Sequence, residues 1–125
     1  MELKRIFEII KQLRAEDGGC PWDKEQTLSS LIKPLKEEVD ELEEAICNND
    51  SLHIQEELGD VLWNVCMMYE VAREEGVFLP EDSITGVSEK MVTRHPHVFG
   101  ELKAKNAEEA LAMFKKAKAQ SRGEL

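Results

Sequence analysis

Residues 37–60 read EEVDELEEAICNNDSLHIQEELGD. Two helices are legible in this stretch, separated by the polar stop Asn48-Asn49-Asp50. Upstream of the stop, Leu31, Leu35, Val39, Leu42 and Ile46 form one apolar stripe at helical spacing, which predicts a helix ending near Cys47. Pro34 lacks the donor that a helix interior needs, so it either kinks this helix or begins a new segment. Downstream, a second helix is predicted from about Asp50 to Gly76, a residue suited to the C′ position. Its inward side is read as Ile54, Leu58, Val61, Leu62, Val65 and Ala72. Trp63 and Met67 point away from that stripe, which predicts a helix–helix contact between subunits.

The same stretch carries two carboxylate pairs, Glu38 with Glu41 and Glu57 with Asp60. Residues three apart share a helix face, so each pair aims in one direction. If the helices run antiparallel, four carboxylates converge. Four anions repel unless a cation neutralises them, and all-oxygen ligands suit a hard divalent ion such as magnesium or manganese. Neither Glu38 nor Glu57 has a His three residues on, so the Glu-x-x-His pattern of di-iron bundles is absent. His53, Glu57, Asp60 and Asn64 form a polar stripe that flanks the core side instead of opposing it. His53 is read as a polar residue of the first turn, with a supporting role to a ligand as the alternative.

Working outward, Ile6, Ile9, Ile10 and Leu13 predict a first helix over about residues 2–14, broken by Asp17-Gly18-Gly19. GCPWDKEQT at 19–27 reads as a turn, with Trp22 as a plug onto the helices or a platform for a nucleobase. Leu79-Pro80 opens a further helix to about residue 93. RHPHVFG at 94–100 reads as a loop ordered by His95 and His97. Asn106 with Glu109 resembles a capping pair for a last helix, about 107–121. Lys90 and Arg94 are four apart, a spacing that suits either an exposed basic pair or a clamp on phosphate oxygens. Phe114 and Lys118 repeat that spacing on the last helix, with Phe114 read as a core residue and a base-stacking platform as the alternative. No strand alternation or internal repeat is present, so the expected fold is a single all-α domain over 1–125, of four-helix-bundle type.

The 125 residues carry a net charge of −10, and residues 37–60 hold ten acids and no Lys or Arg. A nucleic-acid partner is not expected for so acidic a chain. A phosphate substrate is compatible, because bound metal reverses the local sign. The three cysteines, Cys20, Cys47 and Cys66, show no C-x-x-C pair, which fits a reducing cytoplasm. No signal-peptide core or membrane-length apolar run is found, so no membrane partner is expected.

GCPWDKEQT, SLIKPL, EEVDE, EELGD and KMVTRHPHVFG, in this order and at these distances, resemble the MazG family of nucleoside triphosphate pyrophosphohydrolases. The resemblance covers roughly residues 3–118. It implies an all-α fold, a homodimer or higher homo-oligomer, and magnesium-dependent hydrolysis between the α and β phosphates, with manganese as a possible substitute. The implied metal ligands are Glu38, Glu41, Glu57 and Asp60, with Glu37 beside them to orient or deprotonate the attacking water. The implied phosphate contacts are Lys90 and Arg94. Two features depart from many relatives: Phe114 stands where they have Trp, with Lys118 kept, and this chain has one copy where they have two. GCPWDKEQT is typical of the first copy. The implied role is removal of non-standard or surplus nucleotides. The rival readings are a more selective pyrimidine-nucleotide or histidine-pathway pyrophosphohydrolase of the same fold, and a catalytically silent helical module that binds a protein.

Overall fold

The computed structural model describes residues 2–123. Seven helices are found among them and no strand: α1 Leu3–Leu13, α2 Pro21–Glu25, α3 Ile32–Cys47, α4 Ser51–Glu74, α5 Pro80–Thr93, α6 Pro96–Phe99 and α7 Ala107–Ser121. The chain divides into two compact units, residues 1–80 and 81–125.

In the first unit, α3 and α4 form a helical hairpin whose ends are set by local chemistry. Asn49 takes a left-handed φ of 52°. Its N–H bonds to the Ile46 carbonyl at 3.1 Å, and the Asp50 N–H bonds to Ala45 at 3.3 Å. This pair of hydrogen bonds closes a helix C-terminus, with Asn in the place that glycine usually takes. Asp50 then caps α4, its carboxylate accepting from the His53 N–H at 3.2 Å. The far end of α4 closes in the same way through Gly76, with φ 69° and the Val77 N–H on the Ala72 carbonyl at 3.0 Å. Pro34 sits in the first turn of α3, so of its two predicted roles the start of a segment is the one observed.

The buried core joins α1 to the C-terminal half of α4. It consists of Ile10, Leu31, Cys66, Met67 and Val71, with Ile6, Phe7, Leu28, Trp63 and Met68 packed around it. This corrects two expectations. Met67 is 1% exposed and Trp63 is partly buried against the core, so Met67 belongs to the chain's own interior and the pair is not the exposed apolar patch that was expected. Leu58 and Leu62, expected inside, are 53% and 44% exposed. The physical reason is that α4 serves two neighbours. Its C-terminal half presents apolar side chains to α1, whereas towards α3 its N-terminal half presents polar ones.

GCPWDKEQT and RHPHVFG, expected as turn and loop, each contain a short helix, α2 and α6. In both, the proline occupies the first helical position, where its fixed φ and missing N–H cost nothing. The plug reading of Trp22 is also corrected, because its side chain stands in solvent at 56% exposure. Arg14 pins the segment instead. Its guanidinium donates to the carbonyls of Asp23 and, at 3.2 Å, of Gln26, and pairs with Glu74 at the end of α4. Gly19 is required here by close approach. A Cβ on it would lie 2.2 Å from the Ala15 carbonyl oxygen.

In the second unit, Glu81 and Asp82 occupy the first turn of α5, where the helix dipole favours anions. Asn106 caps α7, its side chain accepting from the Glu109 N–H at 2.9 Å, as the capping pair predicted. Short α6 lies against α7.

Candidate metal centre

The hairpin brings the acidic pairs together. Carboxylate oxygens of Glu38, Glu41 and Glu57 lie within 4.8 Å of one another, as do those of Glu56, Glu57 and Asp60. Glu57 belongs to both groups and is 6% exposed. Glu38 and Asp60 are partly buried, and Glu41 and Glu56 are exposed. Glu56 was not among the expected ligands. Its signal was present in the sequence, since it lies four residues before Asp60, but a helix wheel alone does not separate it from a solvated neighbour.

Glu38 Oε2 and Glu57 Oε2 are buried with no hydrogen-bond partner in the protein. Buried polar atoms are ordinarily satisfied, and an unsatisfied carboxylate oxygen is costly. Burial raises the Glu38 carboxyl from 4.5 to about 7, and the neighbouring Glu57, Glu41 and Asp60 carboxylates push in the same direction. A hard divalent cation answers both features: it supplies a partner for the two oxygens and cancels the repulsion. The donor set, oxygen only, fits magnesium or manganese better than a softer metal.

The remaining expected residues are distributed as follows. Glu37, next to Glu38 on α3, is exposed and in neither group. Lys90 is exposed near the end of α5. Arg94 follows α5 and is 7% exposed. One guanidinium nitrogen of Arg94 donates to Ser121 Oγ at 3.5 Å, and its buried Nε has no partner. Lys118 and Phe114 lie on α7, both partly buried. The Phe114 ring is in tilted contact with His95, with centroids 5.2 Å apart. His95 Nδ1 donates to the Met91 carbonyl at 2.6 Å, which ties the RHPHVFG segment to the end of α5.

The domain model described as MazG nucleotide pyrophosphohydrolase matches residues 26–99. An Escherichia coli (strain K12) protein named nucleoside triphosphate pyrophosphohydrolase is 37% identical over 123 residues, covering 98% of this chain and 47% of that protein. A Thermotoga maritima protein named nucleoside triphosphate pyrophosphohydrolase/pyrophosphatase MazG is 45% identical over 98 residues, covering 78% and 38%. The Bacillus subtilis protein YabN, named as uncharacterised, is 45% identical over 117 residues, covering 94% and 24%. The chain thus spans about a quarter to about half the length of these relatives. The crystal structure of a mazG-related protein from Thermotoga maritima matches with a TM-score of 0.77 at 32% identity, covering 93% of this chain and 98% of that one.

Proposed function

The chain belongs to the MazG nucleotide pyrophosphohydrolase family, and from that premise we propose that it hydrolyses (deoxy)nucleoside triphosphates to the monophosphate and pyrophosphate. The observation that carries this reading is the carboxylate cluster of α3 and α4, with two buried oxygens lacking partners. Glu38, Glu41, Glu57 and Asp60 would hold magnesium, with Glu56 as a further candidate from its place beside Glu57 and Asp60. When bound, such ions supply charge neutralisation for the triphosphate and a more acidic attacking water.

Within that frame, each residue of this chain has a distinct task. Glu37 is assigned to orient or deprotonate the water, for which its exposure beside Glu38 leaves it accessible. Lys90, Arg94 and Lys118 are assigned to the phosphates, where charge grows on the departing pyrophosphate. Arg94 supports its assignment by carrying a buried guanidinium nitrogen with no protein acceptor. Trp22, exposed on a pinned segment, and Phe114 are the candidate base contacts.

The family match at 26–99 runs across the boundary of the two units, which supports reading them as one functional domain. A homo-oligomer is proposed as well. The apolar side chains left in solvent on α3 and α4 include Val39, Ile46, Leu58 and Leu62, and a second copy of this chain is the occupant proposed for them. A cytoplasmic role in clearing non-standard or surplus nucleotides completes the proposal. No helix among the described residues is long and apolar enough to cross a membrane.

The test is a panel of triphosphates incubated with magnesium, with products resolved by ion-exchange chromatography. Monophosphate plus pyrophosphate is expected from several bases. Diphosphate plus phosphate would refute the bond assignment. Turnover of one pyrimidine nucleotide alone would favour the selective rival, and no turnover of any would favour the silent module.

A further inference from the structure

Glu57 is the carboxylate common to both acidic groups, so its orientation matters more than that of any other ligand. The torsion that sets a Glu carboxylate plane is broad, and nothing intrinsic holds it. One oxygen is nevertheless held: Glu57 Oε1 lies 3.2 Å from His53 Nε2, one helical turn earlier on α4. The other oxygen, Oε2, is buried and has no partner. His53 is itself anchored, because its backbone N–H donates to the capping carboxylate of Asp50 at 3.2 Å. A chain of contacts therefore runs from the helix cap through His53 to one oxygen of Glu57, and leaves the second oxygen free.

We propose that His53 is a positioning residue, which by donating from Nε2 to Glu57 Oε1 fixes the carboxylate so that Oε2 is the atom presented to a divalent ion. The inference rests on the metal-site reading above and adds to it a residue outside the ligand set. His53 does not itself ligate, since its Nε2 hydrogen is committed to Glu57. Ligand-orienting partners of this kind change metal affinity by about 10–100-fold when removed. The His53 side chain is 38% exposed and contributes nothing to the core cluster, so the fold survives its loss, although Glu57 Oε1 is then left without its partner.

The experiment is a titration with Mn2+ alone, followed by electron paramagnetic resonance, on wild type, His53→Ala, His53→Gln and Glu57→Gln. Metal-free melting temperatures are recorded alongside. The expected result is a loss of affinity of about 10–100-fold in His53→Ala, with a cooperative metal-free melt retained and lowered modestly at most by the orphaned Glu57 oxygen. His53→Gln, which restores an N–H donor, recovers most of that loss. The spin-echo spectrum of Mn2+ on wild type shows no directly coordinated nitrogen. Wild-type affinity in His53→Ala, a His53→Gln no better than Ala, or a coordinated nitrogen would each overturn the proposal while leaving the carboxylate site standing. Glu57→Gln separates the two claims: if it binds Mn2+ as wild type does, the metal-site reading fails and this inference fails with it.

Discussion

At the residue scale the cluster is a set of charges waiting to be compensated, and Glu38 reports it. Its carboxyl is raised from 4.5 to about 7 in the folded chain. A group whose folded value lies above its unfolded one favours the folded state below the unfolded value, and that advantage is lost as pH rises through the folded one. The metal-free protein is therefore expected to lose melting temperature between about pH 4.5 and 7, and saturating magnesium is expected to flatten the slope. A metal-free melting temperature that rises across this window would contradict the assignment. Glu38→Gln removes one repelling charge. It is expected to abolish turnover and raise metal-free stability at pH 8, measured by product release and thermal melts. The clustering of Glu38, Glu41, Glu57 and Asp60 was legible in the sequence because helical spacing puts each pair on one face. The approach of exposed Glu56 to Glu57 and Asp60 was not, since the wheel gives direction and leaves open how far a solvated neighbour reaches.

At the scale of elements, the long helices were legible to within about two residues because stop signals coincide with the ends of apolar periodicity. Asn49, Gly76 and Asn106 each do at the backbone what their residue type suggested. Short α2 and α6 were missed because four or five residues carry no measurable period, and a proline reads as punctuation before it reads as a first turn. The side chain that fixes α2 was equally hidden. Arg14 looks like the end of a surface helix, yet it donates to two carbonyls of the following segment and pairs with Glu74 sixty residues away. Arg14→Met keeps the bulk and removes these bonds, which as charged hydrogen bonds are worth roughly 1.5–3 kcal/mol each before solvent screening. It is expected to lower the melting temperature and to speed amide exchange over residues 20–26 first. Exchange in that segment equal to wild type would show that another contact pins it.

At the scale of the whole molecule, charge and exposed apolar surface set the behaviour. Ile46 is 52% exposed on α3, on the same helix face as Val39 and Leu42. Ile46→Glu is expected to shift sedimentation towards the monomer without loss of helicity by circular dichroism. An unchanged oligomer would place the subunit contact elsewhere, and a monomeric wild type would remove it altogether. The second quantity is the net charge of −10, with ten acids in residues 37–60. Such a surface repels a triphosphate unless cations intervene, so substrate binding depends on where a divalent ion sits. The most direct measurement is an anomalous difference map from a crystal of the full chain soaked in Mn2+. The expected result is at least one peak about 2.1 Å from Glu57 Oε2, shared with carboxylate oxygens of Glu38, Glu41 or Asp60. Peaks confined to other acidic surface residues, with those four side chains unliganded, would contradict it.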